Sequence, residues 1–150
     1  MSGIIDDERN EWRRRAPAPP IGVEFEADLQ CALTNTSPVL ITGPSEFAEE
    51  LATRIHRYGL NGRGAFLTID CGRIYGPEQL EVVFETAAPR GTVFLREVDR
   101  LTPALQMALY IRMAPLGVRV IAATSHSLLN AAANGNFDER LFYRLNQIHL

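Results

Sequence analysis

Val39-Leu-Ile-Thr-Gly-Pro-Ser-Glu-Phe-Ala-Glu-Glu-Leu51 contains the change of period that decides the fold. Pro38 to Thr42 is a short apolar run cut off by Gly43 and Pro44, which reads as a strand. From Glu46 to Tyr58, Phe47, Leu51, Ile55 and Tyr58 recur at i, i+4, i+8 and i+11, which places them on one helix face and leaves Glu49, Glu50, Arg54 and Arg57 to water.

The same alternation continues along the chain. Ala65 to Asp70, Gly91 to Leu95, Val118 to Thr124 and Gln147 to Leu150 predict strands, and Pro77 to Ala87, His126 to Asn134 and Asp138 to Leu145 predict helices. Thr102-Pro103 supplies an N-cap and a first-turn proline for a further helix carrying Leu105, Leu109 and Met113. The strand runs are apolar throughout instead of alternating, as when helices cover both faces of a parallel sheet. The expected architecture is an α/β three-layer sandwich of about five parallel strands.

The chain has 150 residues, 46% hydrophobic and 22% charged, which suits one folded domain. Arg15 to Pro20 packs three prolines into six residues and reads as an extended linker. We therefore divide the sequence into a flexible acidic, Arg- and Pro-rich tail over 1–21, with Trp12 and the solvated cluster Arg13-Arg14-Arg15, and a folded part over 22–150. No apolar stretch approaches the ~20 residues of a membrane span and no signal peptide is evident, so the expected location is cytoplasmic. Cys31 and Cys71 show no zinc or disulfide pattern and read as free thiols.

All 15 basic residues counted as Lys or Arg are Arg, which excludes chemistry that needs an ammonium side chain, including the phosphate-gripping Lys of a P-loop. A net charge of −3 gives no electrostatic drive toward nucleic acid, so direct DNA binding is not expected. The turn after the first strand stands where a phosphate cradle would sit, with Gly43 and Ser45 in place. The later glycine is Ala48, the Lys position is Glu49 and the hydroxyl position is Glu50; Pro44 removes a donor. Glu46, Glu49 and Glu50 would repel a polyanion, each by roughly 1–4 kcal/mol in partly solvated surroundings. The alternative reading has these acids complementing the helix macrodipole.

Several blocks, in order, resemble the central AAA+ domain of bacterial enhancer-binding proteins, the sigma-54-dependent transcription activators. They are Val39-Leu-Ile-Thr-Gly-Pro-Ser45 with Glu50-Leu-Ala; Thr68-Ile-Asp-Cys-Gly72; Gly91-Thr-Val-Phe-Leu-Arg-Glu97 with Leu101-Thr-Pro-Ala-Leu-Gln106; Val118-Arg-Val-Ile-Ala-Ala-Thr124; and Gly135-Asn-Phe-Asp-Glu-Arg-Leu-Phe-Tyr-Arg-Leu-Asn146. The resemblance implies a P-loop NTPase-like AAA+ core, here without the family's helical lid or helix-turn-helix domain. It also sharpens the departures. The family's phosphate loop has the form GxxGxGKE, whereas Glu46, Ala48 and Glu49 stand at two glycines and the Lys. Arg96 takes the place of the metal-binding Asp before Glu97, which stands where a water-activating base would be. Ser125 replaces the sensor Asn. Of the two arginines that family members offer to a neighbour's γ-phosphate, the first aligns with Asp138 and the second with Arg144, with Arg140 out of register; Arg144 as a surface or ion-paired residue is the alternative. The family's GAFTGA loop has no counterpart between Cys71 and Gly91, and Ala114-Pro115-Leu116-Gly117 replaces a second insertion.

These readings lead us to expect a non-catalytic AAA+-derived interaction or regulatory protein that associates with itself or with an intact AAA+ activator. Glu97 and Arg144 are the residual catalytic candidates; Gly43, Ser45, Glu49, Glu50 and Ser125 mark the degenerate phosphate and sensor positions. No metal site is expected, and ATP with magnesium is disfavoured. The alternatives are a divergent ATPase using Glu97 and Arg144, or a nucleotide sensor without turnover. An Arg96 to Glu97 neighbour effect or surface ion pair is the plain reading of that dipeptide. His56 and His126 read as surface or capping groups, and Ser45 has no pattern to activate it as a nucleophile.

Overall fold

The computed structural model describes residues 22–113 and 117–150. The elements are α1 (Gly22–Thr34), β1 (Val39–Thr42), α2 (Ser45–Tyr58), β2 (Phe66–Asp70), α3 (Pro77–Ala87), β3 (Thr92–Arg96), a 3-10 turn (Val98–Arg100), α4 (Pro103–Met113), β4 (Arg119–Thr124), α5 (Leu128–Ala133), α6 (Glu139–Leu145) and β5 (Ile148–His149). The five strands form one sheet in the order β2-β3-β4-β1-β5, and all its pairings are parallel.

The continuous apolar runs are explained by burial on both faces. Along β1, Leu40 joins Val93, Leu95, Val120 and Ala122 against Leu80 and Phe84 of α3, Leu105 and Leu109 of α4, and Leu141 and Leu145 of α6. Its neighbours Val39 and Ile41 join Phe94, Ile121 and Ala123 against Ala32 of α1 and Ala48, Leu51, Ala52 and Ile55 of α2. The expected three-layer α/β sandwich with five parallel strands is the observed one.

Local chemistry fixes the helix starts. Thr102 Oγ1 accepts from Leu105 N at 3.3 Å, Ser127 Oγ from Asn130 N at 3.1 Å and Asp138 Oδ1 from Leu141 N at 3.0 Å. Buried Gln106 donates to Leu101 O at 2.8 Å and accepts from Asp138 N at 2.7 Å, tying α4 to the start of α6. Two elements differ from expectation. Helix α1 was not predicted, although Phe25, Leu29 and Ala32 stand at i, i+4 and i+7 and all pack on the α2 layer. The last strand is two residues long instead of four. The tail over 1–21, with Trp12 and Arg13 to Arg15, lies outside the described residues, as do 114–116 of the predicted turn; Gly117 takes φ +67, the left-handed region that suits glycine.

His56 corrects its expectation as a surface group: it is buried. Its Nε2 lies 3.1 Å from Gly64 O, an obligate acceptor, so Nε2 carries the proton and Nδ1 accepts from the Thr92 hydroxyl at 2.8 Å. Burial, and secondarily the nearby Arg119, hold its pKa below the usual histidine value despite the Gly64 bond. Arg119 opens β4 opposite Thr92 and is 1% exposed. None of its Nε, Nη1 and Nη2 atoms has a hydrogen-bond partner among the described residues, and burial pushes its pKa down to about 10.

A buried neutral histidine confers full stability above its unfolded pKa near 6.5, and that stability is lost as pH falls through the depressed folded value. Urea unfolding should therefore show a weaker fold at pH 5 than at pH 7. Arg119→Met, which keeps the volume and removes the unpartnered cation, should raise stability by about 1 kcal/mol or more and shrink the acid loss. Asp138 caps α6, and its bond from Leu141 N, then its contact with Arg140, holds its carboxyl below the usual range. Asp138→Ala should cost about 1 kcal/mol. The wild-type advantage should persist above pH 4 and vanish as the carboxylate protonates.

Candidate functional site

The strands end together on one edge of the sheet, where a ligand site in a parallel α/β fold is sought. β1 ends at Thr42, Gly43 N donates to Thr124 O at 3.0 Å, and α2 begins at Ser45. Only Gly43 and Pro44 connect the two elements. Pro44, at φ −58 and ψ 147, is the N-cap, and its carbonyl accepts from Ala48 N at 2.9 Å. Ser45, Glu46 and Phe47 thus lie in the first helical turn instead of in an open loop. A side chain at Gly43 would come within 3.3 Å of the Phe47 ring, so the glycine serves a close approach.

Ser45, Glu46, Glu49 and Glu50 are exposed. Glu50 Oε2 lies 3.6 Å from Arg54 Nη2. No ion pair among the described residues engages Glu46 or Glu49. The structure thus places Ser45, Glu49 and Glu50 of the predicted loop, with Glu46, on the first turns of a solvated helix with a surplus of carboxylates, and leaves Gly43 before it.

At the ends of β3 and β4, Glu97 and Ser125 come together: Ser125 Oγ donates to Glu97 Oε1 at 3.5 Å, a long bond. Glu97 has φ 54 and ψ 54, a left-handed conformation that costs a non-glycine residue about 1 kcal/mol. The buried Val98 that follows and the bond from Arg100 N to Glu97 O at 3.0 Å hold it there. No ion pair joins Arg96 and Glu97 among the described residues; Arg96 instead faces Asp70 in the β2–β3 register, and its carbonyl accepts from Cys71 N at 3.0 Å.

Beside them lies a cluster that the sequence reading missed. The buried Thr124 hydroxyl lies 2.9 Å from Asp99 Oδ1 and 3.1 Å from His126 O, and it accepts from His126 N at 3.1 Å. The exposed His126 ring brings Nδ1 to 3.4 Å from Asp99 Oδ2. Asp99 follows Glu97 by two positions, and that spacing was the available signal. Burial, then Asp70, Asp99 and Glu97, push the Cys71 thiol far above its usual range, so it stays protonated. Among the described residues no three His, Cys, Asp or Glu side chains are placed to hold a metal.

Arg144 is not part of this edge. With Ser37, Pro38, Met113 and Gln147 it lines an open depression of about 290 Å³ at the opposite ends of β1 and β5. Its guanidinium lies 4.2 Å from the centre of the Tyr110 ring, and Nη1 is 3.5 Å from Tyr110 O. Arg140 approaches the same ring at 5.1 Å and Asp138 at 3.4 Å. Asp138, which the resemblance aligns with the first family arginine, is a helix cap.

The sequence pattern of the Sigma-54 interaction domain matches residues 20–150. The chain is 34% identical to the transcriptional regulatory protein GlrR of Escherichia coli K12, covering all of this chain and 40% of that protein. That alignment runs over 185 positions against 150 residues here, so the relative carries segments with no counterpart in this chain. The Sigma54-dependent transcriptional activator SfnR of Pseudomonas putida is 31% identical over 83% of this chain and 42% of its own length. The chain thus spans about 40% of the length of these curated relatives. In fold it resembles NtrX from Brucella abortus, with a TM-score of 0.72 at 24% identity over 95% of this chain and 39% of that one. It also resembles the P-loop NTPase domain of a Sigma-54 transport activator from E. coli, with a TM-score of 0.69 at 22% identity over 95% of this chain and 94% of that one. No helix among the described residues is long and apolar enough to cross a membrane. The core of five parallel strands, the family pattern over 20–150 and the kinship with GlrR together establish that the chain belongs to the Sigma-54 interaction domain family.

Proposed function

We propose that this chain is a non-catalytic AAA+-derived interaction and regulatory protein, acting on transcription through contacts with itself or with an intact AAA+ activator. The observation that carries the reading is the connection from β1 to α2: two residues, Gly43 and Pro44, followed by helix from Ser45 with Glu49 at the lysine position. A phosphate cradle needs successive N–H groups turned inward and a cation on the β/γ-phosphates. Here Ala48 N is spent on Pro44 O, Pro44 has no N–H, and the charges on the first turns are Glu46, Glu49 and Glu50. The turn does not suit a magnesium triphosphate. Segments of GlrR without counterpart here are consistent with the loss of the family's remodelling loop.

The approach of Ser125 to Glu97 favours a second reading, a divergent nucleotide-binding protein or ATPase, because a held carboxylate at the end of β3 could orient water.

Calorimetric titration with Mg-ATP separates the two. No saturable heat is expected below about 1 mM, where binding contributes only about 4 kcal/mol, and phosphate release should equal the buffer blank with or without Glu97→Ala. Glu49→Lys alone should restore no binding, because the helix still starts at Ser45. Saturable binding by the wild type at lower concentration, or turnover abolished by Glu97→Ala, would instead establish the second reading. Co-sedimentation with an intact activator of the family should show a complex; absence of any complex, with itself or with a relative, would remove the interaction role.

A further inference from the structure

Between α5 and α6, at the ends of β1 and β5, lies a partly enclosed cavity of about 180 Å³. Its walls are Leu40 of β1, Leu128 of α5 and Phe142 of α6, all three buried members of one core layer. None of its lining residues among the described ones belongs to α2, which covers the other face of the sheet, so the cavity is separate from the turn that carries Glu46, Glu49 and Glu50. Neither does any Asp, Glu or Arg side chain among the described residues line it.

The polar groups around the cavity are not alike. On its exposed side Thr42 Oγ1 and His149 Nε2 satisfy one another at 3.0 Å. Asn146 follows Phe142 by four positions, and its N–H donates to Phe142 O at 2.9 Å, so the helical spacing brings the carboxamide and the ring to the same cavity. Asn146 Oδ1 is buried and has no hydrogen-bond partner among the described residues. A carbonyl oxygen taken out of water needs a donor in return, and the apolar walls of Leu40, Leu128 and Phe142 offer none. An apolar cavity of about 150 Å³ already admits benzene, so the space here suits one small ring system. The walls are held in the core before any ligand arrives, which keeps the ordering cost of binding low.

We propose that this cavity binds a small, planar, uncharged aromatic molecule that rests its ring on Leu40, Leu128 and Phe142 and donates one N–H or O–H to Asn146 Oδ1. An ionised ligand would lose its hydration and meet no charged partner, so the site selects against phosphates and carboxylates. The site goes beyond the interaction role proposed above and does not depend on it.

Indole and benzofuran test the site on the whole chain, because the two share one shape and only indole carries an N–H. Titration followed by NMR of the leucine methyl groups should show saturable indole binding with a Kd below about 1 mM, and shifts centred on Leu40 and Leu128. Benzofuran should bind at least about tenfold more weakly, a difference of about 1.4 kcal/mol. Asn146→Leu, which removes the acceptor at similar volume, should bind the two alike. Thermal unfolding checks that this variant folds; if it does not, the comparison of the two ligands on the wild type decides. Absence of saturable indole binding, equal affinity of the wild type for both ligands, shifts centred away from Leu40 and Leu128, or a preference for indole that survives Asn146→Leu would each overturn the proposal. Any of these results leaves the non-catalytic reading where it stands, since that reading rests on α2 and is tested by Mg-ATP.

Discussion

The burial of β1 between β4 and β5, with Leu40 in one layer and Val39 and Ile41 in the other, is the constraint on which the remaining geometry depends. Shifting the register by one residue would exchange the two sets of side chains between unlike layers, so the point where the chain leaves the sheet is fixed to the residue. It leaves at Thr42, and Gly43 N still bonds to Thr124 O as an extension of the ladder. Pro44 then sets φ near the helical value and cannot donate, and the helix starts at the next residue. With both ends so placed there is no slack for an open loop, and the carboxylates that follow are projected from a regular helix turn.

A second constraint lies at the opposite ends of β3 and β4, where α2 finishes. His56, Thr92 and Arg119 form a polar layer inside an otherwise apolar face. The first two satisfy one another and Gly64 O, which fixes the imidazole tautomer and ties the end of α2 to the loop before β2. Arg119 is different. A guanidinium cannot shed its proton to escape burial as a lysine can, so its desolvation falls on the folded state. The C-terminal end of α2 lies close by, since a side chain at Gly59 would reach within 3.5 Å of Arg119 Nη1, and the negative end of a helix dipole offsets part of that cost.

How much of this was legible in the sequence depends on the range of the interaction that carries it. The strands and helices could be read because their signals are local: Val93 to Leu95 and Val120 to Ala123 are apolar without interruption, and Phe47, Leu51 and Ile55 keep a helical period. Helix α1 carries the same period in Phe25, Leu29 and Ala32, but it follows directly on the proline-rich stretch that ends at Pro20, and it went unread. The candidate residues fared by the same rule. The carboxylates at 46, 49 and 50 share one turn of helix and were found together. His56 was misread because its partner Thr92 is 36 positions away, and the Asp99–Thr124–His126 cluster was missed because it closes over 25 positions and only the β3–β4 pairing brings it together. That Tyr110 lies beneath Arg144 depends on the packing of α4 against α6, across 34 positions, which no periodicity reports.

The distribution of charge carries the synthesis one step further. With 18 acidic residues against 15 Arg the chain is close to neutral overall, so whatever selectivity its surface has comes from arrangement and not from net charge. A helix N-terminus ordinarily attracts anions, and in α2 the side chains of Glu46, Glu49 and Glu50 already supply them. The positive end of that dipole is met from within the chain, and the outward-facing potential of the turn is reversed from attractive to repulsive for phosphate. For a guanidinium the same reversal works in the opposite sense: a surface hostile to a polyanion is for that reason a surface suited to arginine. The three carboxylates of α2 thus set the sign of the exposed charge at one end of the sheet, and the arginines gathered around Tyr110 set the opposite sign at the other.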